Sequence, residues 1–395
     1  MTSGVFGHAA VTATAQTCRS AIGGFDMLTR TPTPESRMTR LTQRSRFLHA
    51  ALLLALAAPM TFPVRAVDAA FQHEDWELVC DNTRTCRAAG YQRDDSEMPV
   101  SVLLTRKAGP ATAVVGRVRL GDGWQDSMLD GLPAQFPATL WIDGTSYGAH
   151  TVEQSTLELD LTAAQVAALL KALARDSRIE FRAGKTVWAL SDSGAAAVLL
   201  KMDEFQGRIG TVGAAFRKGK QPETKVLPPL PAPVVKAAPL ASAKASDARF
   251  IAQHGDALRK ALRSVTDEDS CSDLHRTGED TGDEAPTLDV VRLTKTKLLV
   301  STRCWLAAYN AGSGYWMIND TAPYRPELVT ADATDFDDGT LGSSQKARGI
   351  GDCWGSEQWT WNGTGFVQTS ASSTGMCKGF AGGAWELPTL VTEIR

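Results

Sequence analysis

Apolar and polar positions alternate with the two-residue period of a strand over residues 76–80, Trp-Glu-Leu-Val-Cys. Residues 81–85, Asp-Asn-Thr-Arg-Thr, form a turn, and the chain restarts at Cys86. A disulfide across this short loop pins a hairpin. Residues 100–105 and 113–120 are rich in β-branched side chains and predict further strands. Residues 139–144 predict another, ending in the turn signal Asp143-Gly144.

A helical period then takes over. Thr162 with Gln165 three residues on forms a capping box. Val166, Leu169, Leu170 and Leu173 share one face, and Arg175 and Arg178 suit the C-terminal end of the dipole. Residues 179–181 and 186–190 flank Gly184-Lys185 as a hairpin. A second helix is predicted over 195–205, stopped near Gly207. Further on, Phe250, His254, Ala257, Leu258, Ala261, Leu262 and Val265 fall on one face of a third. From Leu288 the pattern is strand and turn: 288–293, 297–305, 315–319, 358–361 and 365–368. Cys304-Trp305 followed by residues 315–320 resembles Cys353-Trp354 followed by residues 358–363, the pattern of a repeated hairpin.

Proline divides the chain. Residues 218–244 hold Pro222, Pro228, Pro229, Pro231, Pro233 and Pro239 among Ala, Val and Lys. Proline lacks an N–H and fixes φ, so the stretch predicts an extended, semi-rigid linker. The organisation expected is a 1–66 leader, a β-sandwich-like domain over 67–219 with one or two helices, a 220–248 linker, and a Trp-rich domain over 249–395. That last domain opens with a helix and is β-structured and disulfide-stabilised. The fold class is mainly β (α+β).

The leader changes the reading of compartment. Arg40, Arg44 and Arg46 precede an apolar run from Phe47 to Met60, too short to span a bilayer, and Ala66 supplies the small residue at the cleavage position. Ala69 and Ala70 are alternative cleavage points, Met38 an alternative start, and an uncleaved membrane anchor the alternative to a signal peptide. Cleavage near Ala66 leaves a periplasmic or secreted chain with no stable membrane span. Cys18 falls in the leader. Six cysteines remain, an even number after an export signal, which reads as disulfides. Cys80–Cys86 follows from proximity. Four others allow three connectivities, of which chain order favours Cys271–Cys304 and Cys353–Cys377.

Charge excludes one class of partner. The chain has 41 Lys and Arg against 44 Asp and Glu, and seven of those arginines but only two of the acids lie in the first 66 residues. The remainder carries an acidic excess of eight, which argues against nucleic acid.

Three blocks carry a resemblance. Residues 71–91 (Phe-Gln-His-Glu-Asp-Trp-Glu-Leu-Val-Cys-Asp-Asn-Thr-Arg-Thr-Cys-Arg-Ala-Ala-Gly-Tyr) look like the opening of the proteobacterial domain-of-unknown-function family eleven seventy-six. Residues 199–211 (Leu-Leu-Lys-Met-Asp-Glu-Phe-Gln-Gly-Arg-Ile-Gly-Thr) resemble its mid-chain signature. Residues 345–354, with 359–363 and 375–377 behind them, resemble its third block. The resemblance implies an exported bacterial protein and supplies no catalytic residues. The first half is also similar, more faintly, to the invasion-associated locus B family, which implies a β-sandwich and an envelope or host-interaction role. The cysteine pair often found in that family after the position of Trp141 is absent.

Candidate chemistry is sparse. Asp320, Glu327, Asp352 and Glu386 are acids of the Trp-rich half, and Asp352 and Glu386 are the pair to test for acid–base work on a glycan. The alternative for Asp352 is a structural pair with Arg348. No GxSxG occurs, and no cysteine reads as a nucleophile. Asp332, Asp335, Asp337 and Asp338 cluster before Gly339 without the spacing of a calcium loop. The four histidines that follow the leader, His73, His150, His254 and His275, are scattered, so no metal or cofactor is expected. Arg348, with Lys346 and the backbone of residues 349–351, is a candidate anion cradle, or else a tight glycine turn. Six of ten tryptophans lie in the last quarter, and Trp354, Trp359, Trp361 and Trp385 are candidate ligand-binding rings or else core. The expected function is non-enzymatic recognition of an envelope protein or cell-wall component. A glycan-directed hydrolase and a purely structural envelope factor are the alternatives.

Overall fold

The computed structural model describes residues 69–123, 129, 131–276 and 286–395, so the leader, Cys18 and the acidic loop around residues 278–284 lie outside the described residues. The first strands are β1 (Ala69–His73), β2 (Trp76–Cys80), β3 (Cys86–Tyr91), β4 (Val100–Arg106) and β5 (Val115–Leu120). They are followed by β6 (Gln135–Ile142), β7 (Thr145–Glu153) and β8 (Glu158–Leu161). Helix α1 (Ala163–Ala172) leads to β9 (Ile179–Ala183), β10 (Thr186–Leu190) and α2 (Ala195–Phe205). Two antiparallel sheets result, in the orders β1-β2-β3-β4-β5-β8 and β10-β9-β6-β7.

One core serves both sheets. Trp76, Leu78, Val102, Leu104 and Val118 of the first meet Phe136, Leu140, Phe181 and Trp188 of the second, with Leu169 and Val198 from the helices. The cap on α1 is as the sequence predicts: Gln165 N–H donates to Thr162 Oγ1, and Thr162 N–H donates to Gln165 Oε1. The 179–190 hairpin and the 195–205 helix also form where the pattern puts them.

The proline-rich stretch is extended and bonded along its length. Gly109 N–H donates to Leu227 O, Leu230 N–H to Thr83 O, and Ala238 N–H to Trp361 O. Within it, β11 (Val234–Val235) pairs in parallel with β21 (Glu393–Ile394) at the end of the chain. This pairing uses the segment between Pro233 and Pro239, where N–H groups remain available.

Helices α3 (Phe250–Arg263) and α4 (Ser272–His275) follow, then β12 (Asp289–Arg292), β13 (Lys297–Leu306), β14 (Ala311–Asn319) and β15 (Glu327–Ala333). These four strands form one sheet in chain order. A fifth group, β16 (Asp335–Asp337), β17 (Thr340–Lys346), β18 (Trp354–Trp361), β19 (Phe366–Ser373) and β20 (Leu387–Val391), forms the next. The repeated hairpin is not present. Cys304 and Tyr315 lie on the paired strands β13 and β14, whereas Cys353 precedes β18 and both Trp354 and Trp359 belong to that one strand. The likeness is one of composition, not of topology.

All three disulfides form as chain order suggests: Cys80–Cys86, Cys271–Cys304 and Cys353–Cys377. Among the described residues no helix is long and apolar enough to cross a membrane. Residues before and after the proline stretch keep separate cores, and a third small core joins them. It packs Val79, Ala89 and Tyr91 against Phe380, Ala384, Trp385 and Leu387.

Candidate functional site

Glu77 stands on β2, and its carboxylate is the meeting point of two distant segments. Its Oε1 accepts from Tyr91 Oη–H at 2.6 Å and from the Met376 N–H at 2.8 Å. Burial pushes the Glu77 carboxyl above its usual range, against the opposing pull of those two donors. Burial, and then the neighbouring carboxylate charge, push the Tyr91 hydroxyl well up. Gly375 makes the approach possible: its φ is +89°, and a Cβ there would sit 2.1 Å from Tyr91 Oη.

A second junction lies beside it. Lys378 Nζ is nearly buried and donates to Asp75 at 2.7 Å, to Asp94 at 2.5 Å and to Gln92 O at 3.2 Å. Burial disfavours this charge, but the two carboxylates outweigh it and hold Lys378 above its ordinary value. The Gln92 side chain returns a bond, its Nε2 donating to Lys378 O at 2.8 Å. Arg348 caps the same region. Its Nε donates to Asp352 Oδ1 at 2.7 Å and its Nη2 to Asp352 Oδ2 and Cys377 O. Gly379 N–H also donates to Asp352, at 2.7 Å. Burial raises the Asp352 carboxyl, yet Arg348 and the Gly379 amide outweigh it, and the net direction is down.

Two clefts open on these junctions. One, of about 800 Å³, is polar and lined by Glu74, Asp75, Asp94, Arg348 and Lys378. The other, of about 610 Å³, runs between Ala70–Val79 and the strands β17–β19, with Gln345, Gly355, Ser356, Glu357 and Ser372 in its wall. Gln72, Glu77 and Ser373 line both, so the two form one groove. Its walls combine apolar side chains (Ala70, Phe71, Leu78, Val79) and hydroxyl and amide groups at one end with charged groups (Asp75, Asp94, Arg348, Lys378) at the other. Ser356 and Ser372 bond each other at 2.9 Å, and Gln345 Oε1 has no hydrogen-bond partner among the described residues. Such a surface suits a ligand with both apolar and hydrogen-bonding groups.

The residues singled out from sequence separate here. Arg348 lines the groove, and Asp352 anchors Arg348. The two form an ion pair, which is the structural pairing that the sequence offered for Asp352. Trp361 is 1% exposed, packed with Leu293 and Leu299. Trp385 is buried too, its Nε1 donating to Ser101 Oγ at 2.7 Å. Trp354 is half-buried under Lys346, its Nε1 donating to Gly351 O, and Trp359 is half-buried on β18. Glu386 is exposed on a different cleft beside Arg87 and Thr369, so no described cleft holds both Asp352 and Glu386.

Asp352, Cys353 and Cys377 are the one cluster of metal-ligating side chains among the described residues, but both sulfurs are in the disulfide and supply no thiolate. Asp332 instead accepts from Trp305 Nε1 at 2.9 Å, and Asp335 from Thr334 Oγ1 at 3.1 Å. The groove residues that sequence reasoning did not single out, Glu77, Tyr91 and Lys378, lie within or beside the quoted blocks. No local pattern relates positions about 300 residues apart.

A family model described as "Protein of unknown function (DUF1176)" matches residues 70–392, a range that includes all three blocks. The chain belongs to this family. A relative, "Uncharacterized protein YpfG" of Escherichia coli (strain K12), is 27% identical over 366 residues, covering 86% of this chain and 97% of that protein. No solved structure matches the chain. Within this DUF1176 protein the opening block supplies Glu77 and Tyr91, and the late block supplies Arg348, Asp352 and Met376. Three disulfides fit a protein that works outside the reducing cytoplasm.

Proposed function

We propose that this protein is exported to the bacterial envelope and works by binding, with the groove around Glu77 as the binding site for a protein segment or a cell-wall component. Export rests on the basic, apolar and small-residue leader and on the disulfides. The observation that carries the binding reading is the continuity of the two clefts through Gln72, Glu77 and Ser373. A continuous wall that is apolar and hydroxyl-bearing at one end and charged at the other matches an extended ligand with both apolar and hydrogen-bonding groups. The buried tryptophans do not serve as a stacking platform in this reading. The test is co-sedimentation of the oxidised protein with purified sacculi, beside a Gln72→benzoylphenylalanine variant photolysed in the intact envelope. Sedimentation or one discrete cross-link supports the reading. Neither sedimentation nor a cross-link above that of the same probe at Val187 overturns it.

A second reading is favoured by one observation: Glu77 is an acid whose pKa burial raises, in a groove that also holds Glu357. An enzyme would use Glu77 as the proton donor. Release of soluble fragments from sacculi by the wild type, lost in Glu77→Gln with binding retained, would support it.

A further inference from the structure

A separate cavity of about 770 Å³ lies between α1 and residues 213–218, away from the groove. Its volume is that of an ordinary small-molecule site, roughly 300–1,000 Å³. Of its fifteen lining residues ten are apolar, four are cations and none is an acid. The apolar wall has a sequence origin. Ala163, Val166, Ala167, Leu170 and Ala174 follow the i, i+3, i+4, i+7, i+11 spacing of one helical stripe. Val166, Leu169, Ala172 and Leu173 reach the core, and the alanines of the stripe stay exposed. Small side chains therefore hold the space open.

The opposite wall is fixed from behind. Asp203 is fully buried and accepts from the N–H groups of Ala215, Phe216 and Arg217 at 2.7, 2.8 and 3.3 Å. Arg106 contributes to the cavity wall with a side chain 5% exposed. Its Nε and Nη2 donate to Thr112 O, and the guanidinium makes long ion pairs with Asp203 and Glu223, each at 3.9 Å. Glu223 is engaged by Arg208 at 2.6 Å and by the Ala111 N–H at 2.6 Å. Burial and the neighbouring Arg208 lower Arg106 to about 10, against the opposing pull of Asp203 and Glu223. At the mouth, Lys171, Arg217 and Lys218 are exposed, and none is in an ion pair with the described residues.

We propose that this cavity binds a single-chain anionic amphiphile, the carboxylate of a fatty acid, with the acyl chain against Val166, Leu170 and Phe216 and the head among the exposed Lys171, Arg217 and Lys218. An apolar trough ringed by one sign of charge is complementary to a molecule with an apolar body and one opposite charge. The proposal stands independently of the groove.

The test is fluorescence titration of the oxidised protein with dansylaminoundecanoic acid, followed by competition with dodecanoate and with dodecanol. Saturable one-to-one binding is expected, displaced by dodecanoate and at least about tenfold less well by dodecanol. Ala167→Trp, which fills the trough from an exposed helix position, and the pair Lys171→Glu with Arg217→Glu should each weaken binding by at least about tenfold at unchanged Tm. Absence of saturable binding, equal displacement by the alcohol, or retention of affinity in Ala167→Trp overturns the proposal.

Discussion

Glu77 and Met376 are separated by 299 positions, yet the Met376 N–H donates to the Glu77 carboxylate at 2.8 Å. The same oxygen takes the Tyr91 hydroxyl proton donor, so one acid fastens β2, β3 and the segment after β19 together. Both clefts of the groove meet at this point. The junction that holds the chain together is therefore also the centre of the candidate site.

The Glu77 carboxyl has a folded-state pKa above its unfolded value. The folded chain thus holds this proton more tightly, and stability falls as pH rises from the unfolded pKa through the raised one. Glu77→Gln keeps an acceptor for Tyr91 and Met376 without the charge. Its Tm should match the wild type near pH 4 and exceed it at pH 7. Parallel Tm curves between those pH values would contradict the raised pKa.

Gly375 faces Tyr91 with a positive φ. Gly375→Ala should destabilise by about 2 kcal/mol, combining the left-handed backbone cost with displacement of the buried hydroxyl. Urea denaturation measures it. A loss under about 0.5 kcal/mol, the ordinary spread of surface substitutions, would mean the junction tolerates displacement.

Arg292 is buried between Asp247 and Asp320, donating to Asp247 at 2.6 and 2.7 Å and to Asp320 at 3.1 Å. Hydrogen bonding from Arg292, with burial opposing it, lowers Asp247 to about 2. This contribution is present above the unfolded carboxylate pKa, roughly 3.9, and is lost as pH falls toward about 2. Arg292→Met should cost about 3 kcal/mol at pH 7, because it strands buried carboxylates, and the cost should shrink on acidification. A cost independent of pH would remove the ion pair from the explanation.

Trp361 and Trp359 separate packing from recognition. Trp361→Ala empties a site bounded by Leu293, Leu299 and Phe366 and should cost about 3–5 kcal/mol by calorimetry. Half-buried Trp359→Ala should cost less than half as much. Equal costs would mean that burial does not distinguish the two rings.

Local signals were legible in the sequence. The Thr162–Gln165 cap, the hairpin over 179–190 and the Cys80–Cys86 loop each involve partners a few residues apart. The strands β7, β15 and β17 were not legible. β7 is mostly exposed, and β17 buries Ser343 as well as Leu341, so no apolar alternation marks them. The groove was not legible either. Its residues come from both ends of the described chain, and the tryptophans that drew attention are largely occupied in packing or held by their own neighbours. Arg348 and Asp352 are legible because they share one glycine-rich turn beside Cys353, and Asp352 holds Arg348 in the wall of the site.

The central claim is that the groove is occupied in function. Gly355 lies in its wall, and a Cβ added there meets nothing within 4 Å, so a large side chain can enter the groove without displacing the fold. The most direct measurement is the envelope cross-linking yield from position 72 in the wild-type background against Gly355→Trp, with Tm recorded for both. A yield reduced at least about tenfold at unchanged Tm is predicted. An undiminished yield from a folded Gly355→Trp protein would contradict the claim.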